Sequence, residues 1–250
     1  MRRTDSTSTH EKSAPQPETV WVLGGGRFGR RAVDLIRAAH PVSTIVVVDT
    51  LSVPGLSKDI EIVCADGIEW LAEHLTEDAR VNKIIPALPL HVAVDWMKKK
   101  LSGELRIVRP AEISDQQLRH FPNPIRLNLS RVAMSHADFL CPANCSEPED
   151  LCTYTRRQRP PPLYSTLETV ALGNFVPLIL RSRQFASGVG GFFPEDLWNL
   201  LERARLLPGV PLLIGTACKC HGIVDGLCHT DREICSPETK KDLQQYAISP

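Results

Sequence analysis

Residues 19–29 read TVWVLGGGRFG, an apolar run followed by glycines in the spacing G-x-G-x-x-G. In a nucleotide-binding βαβ unit the first glycine, here Gly24, permits a tight turn out of the strand. The second, Gly26, lets the backbone approach a pyrophosphate, and the third, Gly29, lets the helix pack closely on the strand. A second apolar run ends at Asp49, twenty residues after the last glycine. This order of strand, glycine turn, helix, strand and carboxylate predicts a Rossmann fold.

The predicted cofactor is an adenine dinucleotide bound at this turn. Its pyrophosphate is expected on the amides that begin the helix, where the helix dipole favours an anion. Asp49 is expected to accept hydrogen bonds from the ribose hydroxyls, and because its charge repels a 2′-phosphate, NAD is preferred over NADP. The alternative is a glycine-rich turn that binds nothing. The residues predicted to bind the cofactor are Gly24, Gly26, Arg27, Phe28, Gly29 and Asp49.

Strands and helices alternate after the glycine turn, which predicts an α/β fold with a doubly wound parallel sheet. The first helix is expected from Gly26 to Ala39, with Phe28 at the start of the apolar stripe that faces the sheet. Two further helices are expected around residues 66–75 and 92–101. Strands are predicted at Thr19–Leu23, Ile45–Asp49, Ile60–Cys64, Val81–Ile85 and Leu105–Val108.

The C-terminal half differs in composition from the N-terminal half. Residues 141–162 contain many prolines and are expected to form a long loop with little regular structure. A strand–helix–strand extension follows it, with the helix beginning at Pro194. The predicted segments are a disordered tail (1–18), a Rossmann domain (19–108), a cysteine-rich α/β region (109–235) and a second tail (236–250).

The composition disfavours several classes of function. The chain has 29 basic and 29 acidic residues, so no net field favours nucleic acid or an anionic membrane. No apolar run reaches the ~18 residues of a membrane helix, and the N-terminal segment lacks the apolar stretch of a signal peptide. A cytoplasmic protein without direct membrane insertion is therefore predicted. In that reducing compartment, eight cysteines favour metal binding or redox chemistry over disulfides.

Three segments of the N-terminal half carry a resemblance to a known family. They are VWVLGGGRFGRRAVDLI, VVVDT and VCADGIEWL, and they lie within residues 18–108. Together they resemble the N-terminal nucleotide-binding domain of the TrkA type, also called RCK-N after regulators of potassium conductance. The resemblance implies NAD binding, with Asp66 near the adenosine, and a membrane-transport protein as partner. The segment Pro86–His91 lacks the polar residues usual in that family, and the cysteine-rich half has no counterpart there.

Two groups of cysteines are expected to form one site. Three of them lie in the proline-rich loop with the spacing C-x3-C-x6-C, and two follow a predicted strand at 211–217 as C-x-C-H. Because loops at the carboxyl ends of parallel strands form the ligand crevice, the two groups are expected to meet there. The predicted metal ligands are Cys141, Cys145, Cys152, Cys218 and Cys220.

The sequence does not decide which metal these cysteines would bind. Thiolates select zinc or an iron–sulfur cluster, four of them satisfy either, and the standard spacing of neither is present. The alternative is a set of buried free thiols, which fits Cys64 best because it ends an apolar strand. His221 is a candidate ligand or a surface residue, and Cys228 and Cys235 are candidate spare ligands. His136 and Asp138 are an acid–base pair or a surface pair.

Three functions follow from these sites. The first is an NAD(H)-dependent redox protein that passes electrons to or from a cysteine-held centre and has a redox protein as partner. The second is a non-catalytic, nucleotide-sensing regulatory subunit of the TrkA type. The third is a zinc-containing NAD-dependent dehydrogenase, an oxidoreductase acting on a small substrate. A homodimer is compatible with each of them.

Overall fold

A computed structural model describes residues 17–231 of the chain. Both predicted tails lie largely outside this range, as does Cys235. None of the helices within it is long and apolar enough to cross a bilayer. The strands are β1 (Thr19–Leu23), β2 (Thr44–Asp49), β3 (Glu61–Cys64), β4 (Lys83–Pro86), β5 (Arg106–Pro110), β6 (Ile125–Arg126), β7 (Arg131–Ser135), β8 (Val176–Arg181), β9 (Arg183–Ala186), β10 (Val189–Gly191), β11 (Leu212–Ala217) and β12 (His221–Asp231). The helices are α1 (Arg27–Ala39), α2 (Gly67–His74), α3 (Val92–Gly103), α4 (Asp115–Leu118), α5 (Leu163–Glu168) and α6 (Pro194–Arg205).

The first sheet has the predicted Rossmann-like order. Its four strands run parallel in the order β3-β2-β1-β4. Successive side chains of a strand point to opposite faces, so β1 feeds two apolar clusters. Val20 and Val22 pack in one cluster with residues of α1, whereas Trp21 and Leu23 pack in another with residues of α2 and α3. Helices therefore cover both faces of the sheet, which confirms the prediction of a doubly wound α/β fold.

The second sheet has the order β6-β7-β12-β11-β8, with β5 paired to the far end of β12. Its parallel pair β8 and β11 is connected through α6, which begins at Pro194, so the predicted strand–helix–strand extension is confirmed. The long strand β12 was missed by the sequence analysis. Gly222, Asp225 and Gly226 interrupt the apolar alternation that marks a strand.

The prediction that residues 105–108 form a fifth strand of the parallel sheet is wrong. They contribute to β5, which pairs antiparallel with β12 in the second sheet. The physical reason is the low burial of β5. All five residues of its sequence, RIVRP, are half-buried or exposed. A strand inside a parallel sheet is covered on both faces, whereas an antiparallel strand can keep one face in water.

The two sheets share one apolar core. Trp21 and Leu23 of the first sheet lie in the same buried cluster as Leu178 and Leu212 of the second. The hairpin of β9 and β10 is anchored to the first sheet because the residue that follows it, Phe192, exchanges two backbone hydrogen bonds of 3.0 Å with Ile84. This contact fixes the hairpin beside the carboxyl end of β4.

A buried polar network also connects the two halves. His91, just before α3, is 2% exposed, as is Asp225 of β12. Nδ1 of His91 donates to Asp225 at 2.7 Å, and its Nε2 accepts from the hydroxyl of Thr216 at 2.9 Å. Nε of Arg131 donates to both carboxylate oxygens at 2.9 and 3.0 Å. Burial lowers the pKa of His91, whereas the pKa of Asp225 is lowered by its bonds to His91 and Arg131, which outweigh burial.

We expect the free energy of unfolding to fall as the pH is lowered from about 7 to about 5. Below the ordinary histidine pKa of about 6.5, the unfolded chain binds a proton at His91 that the folded protein does not. His91→Asn keeps a donor for Asp225 and removes the titration, so denaturant unfolding of this variant should show a flatter pH dependence. His120→Asn, at an exposed histidine, is the control. Identical pH profiles for His91→Asn and the wild type would contradict this assignment.

Candidate functional site

The glycine turn between β1 and α1 is tightly packed at two of the three motif glycines and open at the third. Gly24 has a φ of +105°, and a Cβ there would lie 2.7 Å from the carbonyl oxygen of Ala87. At Gly29 a Cβ would lie 1.8 Å from the Gly24 oxygen, so the fold requires glycine at both positions. A Cβ at Gly26 would meet nothing within 4 Å. Gly26 is also the N-cap of α1 and makes no side-chain capping bond, which leaves the first helix amides available to an anion.

The two predicted carboxylates occupy different positions. Asp49 ends β2 beside the glycine turn and accepts a 2.6 Å hydrogen bond from the amide of Gly25. Its other oxygen accepts a bond from the amide of Leu51 at 2.9 Å. Asp66 is the N-cap of α2, where one oxygen accepts bonds from the amides of Ile68 and Glu69. Asp49 therefore orders the turn, and Asp66 caps α2, which packs on the opposite face of the sheet from α1.

Arg27 and Phe28 both lie on the surface at the start of α1. Phe28 was expected in the buried stripe, but it is 64% exposed, so that prediction is wrong. The stripe of α1 begins one residue later, at Gly29, because Phe28 lies on the other face of the first turn. The guanidinium of Arg27 lies over the Phe28 ring, 5.5 Å from its centroid. An exposed aromatic ring next to the predicted phosphate site is available to a ligand.

The proline-rich loop that carries three cysteines has no helix or extended strand, as predicted. Hydrogen bonds from distant residues hold it in place. Nη2 of Arg31, on α1, donates to the carbonyl of Ala143 at 3.1 Å. The amide side chain of Gln184 donates to the carbonyl of Cys145 at 2.7 Å, and the backbone amide of Gly188 donates to it at 3.1 Å. The loop is therefore fixed between the helix α1 and the β9–β10 hairpin.

All five predicted cysteine ligands line one cavity of about 520 Å³, which we call the cysteine cavity. The two groups come from opposite ends of the C-terminal half, so the sequence prediction that they would meet agrees with the fold. Phe28 and Arg31 of α1 line the cavity too. They also line an adjoining cleft of about 370 Å³ at the carboxyl end of β4. The first turns of α1, which follow the glycine turn, are therefore neighbours of the cysteines.

The thiols of the cavity have different environments. Burial raises the pKa of Cys141, and the charges of three other thiols raise it further, those of Cys220, Cys145 and Cys152. Burial also raises the pKa of Cys220. The pKa of Cys152 is lowered, chiefly by hydrogen bonds from Thr155.

Cys218 has a different environment. Burial and the adjacent carboxylate of Glu147 raise the pKa of its thiol to about 12. The sulfur accepts bonds from the backbone amides of Cys220 at 3.4 Å and His221 at 3.3 Å. Similar bonds reach the sulfurs of Cys145, from Glu147, and of Cys152, from Thr155. Backbone amides pointing at sulfur are a common feature of thiolate ligands, because they stabilise negative charge.

The remaining cysteines lie elsewhere. Cys64 was expected to be a buried thiol, and this is wrong, because it is exposed and its sulfur contacts the carbonyl of Thr50 at 3.5 Å. It ends β3, an edge strand that is mostly exposed. Cys228 is half-buried in β12 and does not line the cavity. All seven cysteines within residues 17–231 are free thiols.

Charged and titratable side chains surround the thiols. Arg31, Arg157, Arg159 and Arg183 line the cavity, opposed by two carboxylates, Asp138 and Glu147. His136 and His221 also line it, and burial lowers the pKa of both, so both are neutral near pH 7. The imidazole of His136 bonds the carbonyl of Pro161 at 3.1 Å. The surroundings of the thiols are therefore cationic.

Sequence reasoning missed the arginines of this site. Arg31 contacts a residue 112 positions away, and Arg159 contacts Cys220 across 61 positions. Contacts between residues so far apart in the chain leave no local pattern in the sequence. The only available signal was the density of arginines around the loop, at positions 156, 157 and 159.

The fold and site define an α/β protein with a Rossmann-like parallel sheet and a cavity lined by cysteines. Residues 93–230 match the family model described as "Uncharacterized protein, C-terminal domain", so the chain belongs to that family. An uncharacterized protein of Archaeoglobus fulgidus is 25% identical over 222 residues, which cover 82% of this chain and 97% of that protein. No solved structure matches the chain. The family segment contains all five cavity cysteines but not the glycine turn, so the resemblance to the TrkA type stays a prediction.

We expect Gly29→Ala to destabilise the protein by at least about 2 kcal/mol, because the added methyl group meets a backbone oxygen that cannot move away. Gly26→Ala should cost about 1 kcal/mol or less, since the space around it is open. Urea unfolding of both variants measures the difference. Equal losses at the two positions would contradict the described geometry of the turn.

Proposed function

We propose that this protein is a cytoplasmic, NAD(H)-binding iron–sulfur protein in which nucleotide binding and the redox state of the cluster influence each other. The observation that carries the proposal is that five thiols line the cysteine cavity together with Phe28 and Arg31 of helix α1. A reducing cytoplasm would keep the thiols available for ligation.

Thiolates bind zinc or an iron–sulfur cluster, and the charge of the cavity lining favours the cluster. Within residues 17–231, no three His, Cys, Asp or Glu side chains lie close enough together to hold a single metal ion such as zinc. An excess of arginines over carboxylates in the lining suits a cluster, since four thiolates outweigh the positive charge of a cluster core.

The proposed ligands are four of the thiols that line the cavity, three from the loop and one from the C-x-C pair: Cys141, Cys145, Cys152 and Cys220. Between the two cysteines of the C-x-C pair, the charge environment favours Cys220. Its sulfur accepts a hydrogen bond from Arg159, whereas Cys218 lies against the carboxylate of Glu147. A cationic donor stabilises a thiolate, and a carboxylate opposes it.

The nucleotide part of the proposal is supported by the open space at Gly26 and by the position of Asp49. An anion on the free amides of α1 would have the Asp49 carboxylate beside it, bound to the amide of Gly25. That carboxylate would face the ribose hydroxyls and repel a 2′-phosphate, which favours NAD over NADP.

Electron counting favours an indirect relation between the nucleotide and the cluster. NADH transfers a hydride, which carries an electron pair, whereas an iron–sulfur centre of this kind serves one-electron chemistry. We therefore propose that the dinucleotide acts on the cluster through binding. The contact of Arg31 with Ala143 supports a nucleotide-sensing role, since it joins α1 to the cysteine loop.

We expect anaerobically purified or reconstituted protein to contain about four iron and four sulfide per chain and to absorb visible light. Cys141→Ser and Cys220→Ser should lose most of this iron, whereas Cys218→Ser should keep it. Cys64→Ser, at an exposed thiol outside the cavity, is the control. Stoichiometric zinc in the wild type, or equal iron loss in Cys218→Ser and Cys220→Ser, would contradict the proposal.

We expect calorimetric titration to detect NAD or NADH binding and to give a weaker signal for NADP. Gly26→Val should abolish binding, because its side chain would fill the space reserved for the phosphates. Gly103→Val is the matched control, since a Cβ there also meets nothing within 4 Å and the residue ends α3. Unchanged NAD affinity in Gly26→Val, or no binding by the wild type, would refute a nucleotide site at this turn.

A further inference from the structure

The side chain of Arg159 contacts one sulfur of the proposed ligand set. Its Nη2 donates a hydrogen bond to the sulfur of Cys220 at 2.8 Å, and its Nη1 donates to the carbonyl of Pro148 at 2.8 Å. Its own backbone amide is bonded to the carbonyl of Asp150 at 2.9 Å. The guanidinium is therefore held in one orientation from both ends, with one N–H directed at a thiol.

The other arginines that line the cavity have different bonding partners. Arg31 donates to the backbone carbonyls of Ala143 and Ser187. Arg183 forms an ion pair with Asp196. Arg157 is exposed, and its backbone rather than its side chain bonds the loop, through Cys152 and Thr155. Arg159 alone among these four has a described hydrogen bond from its side chain to a cysteine sulfur.

Arg159 lines the same cavity as all four proposed ligands, which come from both cysteine groups. Its guanidinium therefore places a positive charge within the proposed site.

We propose that Arg159 is a positioning residue that directs the Cys220 sulfur toward the cluster and raises the reduction potential of that cluster. This inference rests on the proposed function. Reduction adds negative charge to the cluster and its sulfurs, so a cationic donor fixed on one sulfur stabilises the reduced form more than the oxidised form. The same contact orients the ligand, as outer partners do in other metal sites.

The test is a redox titration followed by electron paramagnetic resonance, comparing Arg159→Gln with Arg157→Gln. Both variants remove one positive charge from the cavity lining, but only Arg159→Gln removes the bond to sulfur. We expect a more negative midpoint potential in Arg159→Gln and a value close to wild type in Arg157→Gln. Arg159→Lys, which keeps the charge without the planar fork, should fall between Arg159→Gln and the wild type.

A second measurement needs no metal. In metal-free reduced protein, the rate at which an alkylating reagent modifies Cys220 follows its thiolate fraction, and mass spectrometry can assign the modified residue. We expect slower modification in Arg159→Gln than in Arg157→Gln and the wild type at the same pH. This readout decides the question if Arg159→Gln fails to assemble a cluster.

Each outcome bears on a different part of the account. Equal potentials and equal alkylation rates in the two glutamine variants would overturn the role of Arg159 while leaving the cluster in place. Absence of iron from the wild-type protein would overturn the proposed function itself, and the alkylation comparison would still report on the Arg159–Cys220 contact.

Discussion

The side chain of Arg31 joins the two halves of the molecule where their predicted sites meet. This side chain extends from the first turns of α1, shortly after the glycine turn, and donates to the carbonyls of Ala143 and Ser187. The first carbonyl belongs to the cysteine loop and the second to the hairpin turn. The turn itself is packed so tightly that a Cβ at Gly188 would lie 1.7 Å from the Ala143 oxygen. A loop with so little regular structure needs such anchors to hold its thiols in place, so the contact from α1 helps to shape the cavity.

The same contact suggests how a nucleotide could act on the cysteines under the proposed function. Phosphates bound to the amides of α1 would lie close to Arg31 and attract its guanidinium. Within residues 17–231 that guanidinium donates only to two neutral carbonyls, which are weaker partners than a phosphate. The Nε atom of Arg31 is buried without a hydrogen-bond partner within the described residues. An unsatisfied buried donor is costly, so a rearrangement that gives it a partner is favoured. Moving Arg31 would loosen the loop at Ala143, between two proposed ligands.

Local pattern was sufficient to predict the first βαβ unit, because Gly24 and Gly29 each have a steric reason that the structure displays. The meeting of the two cysteine groups also followed from a general rule about the carboxyl ends of parallel strands. The sheet of β5 did not, since its pairing with β12 across more than a hundred residues leaves no local signal. β12 itself was missed because Gly222, Asp225 and Gly226 interrupt its apolar alternation. The exposure of Phe28 and Cys64 was missed for a related reason. Apolar periodicity and strand position indicate which face is buried, but tertiary packing decides where that face begins and which strand forms the edge.

A crystal structure of anaerobically purified protein, with anomalous diffraction recorded across the iron absorption edge, tests the central claim most directly. The account predicts a strong iron signal inside the cysteine cavity, surrounded by the sulfurs of Cys141, Cys145, Cys152 and Cys220, with Arg159 against the last of them. A single zinc ion in that position, or four sulfurs with no iron signal between them in a protein that has retained its metals, would contradict it.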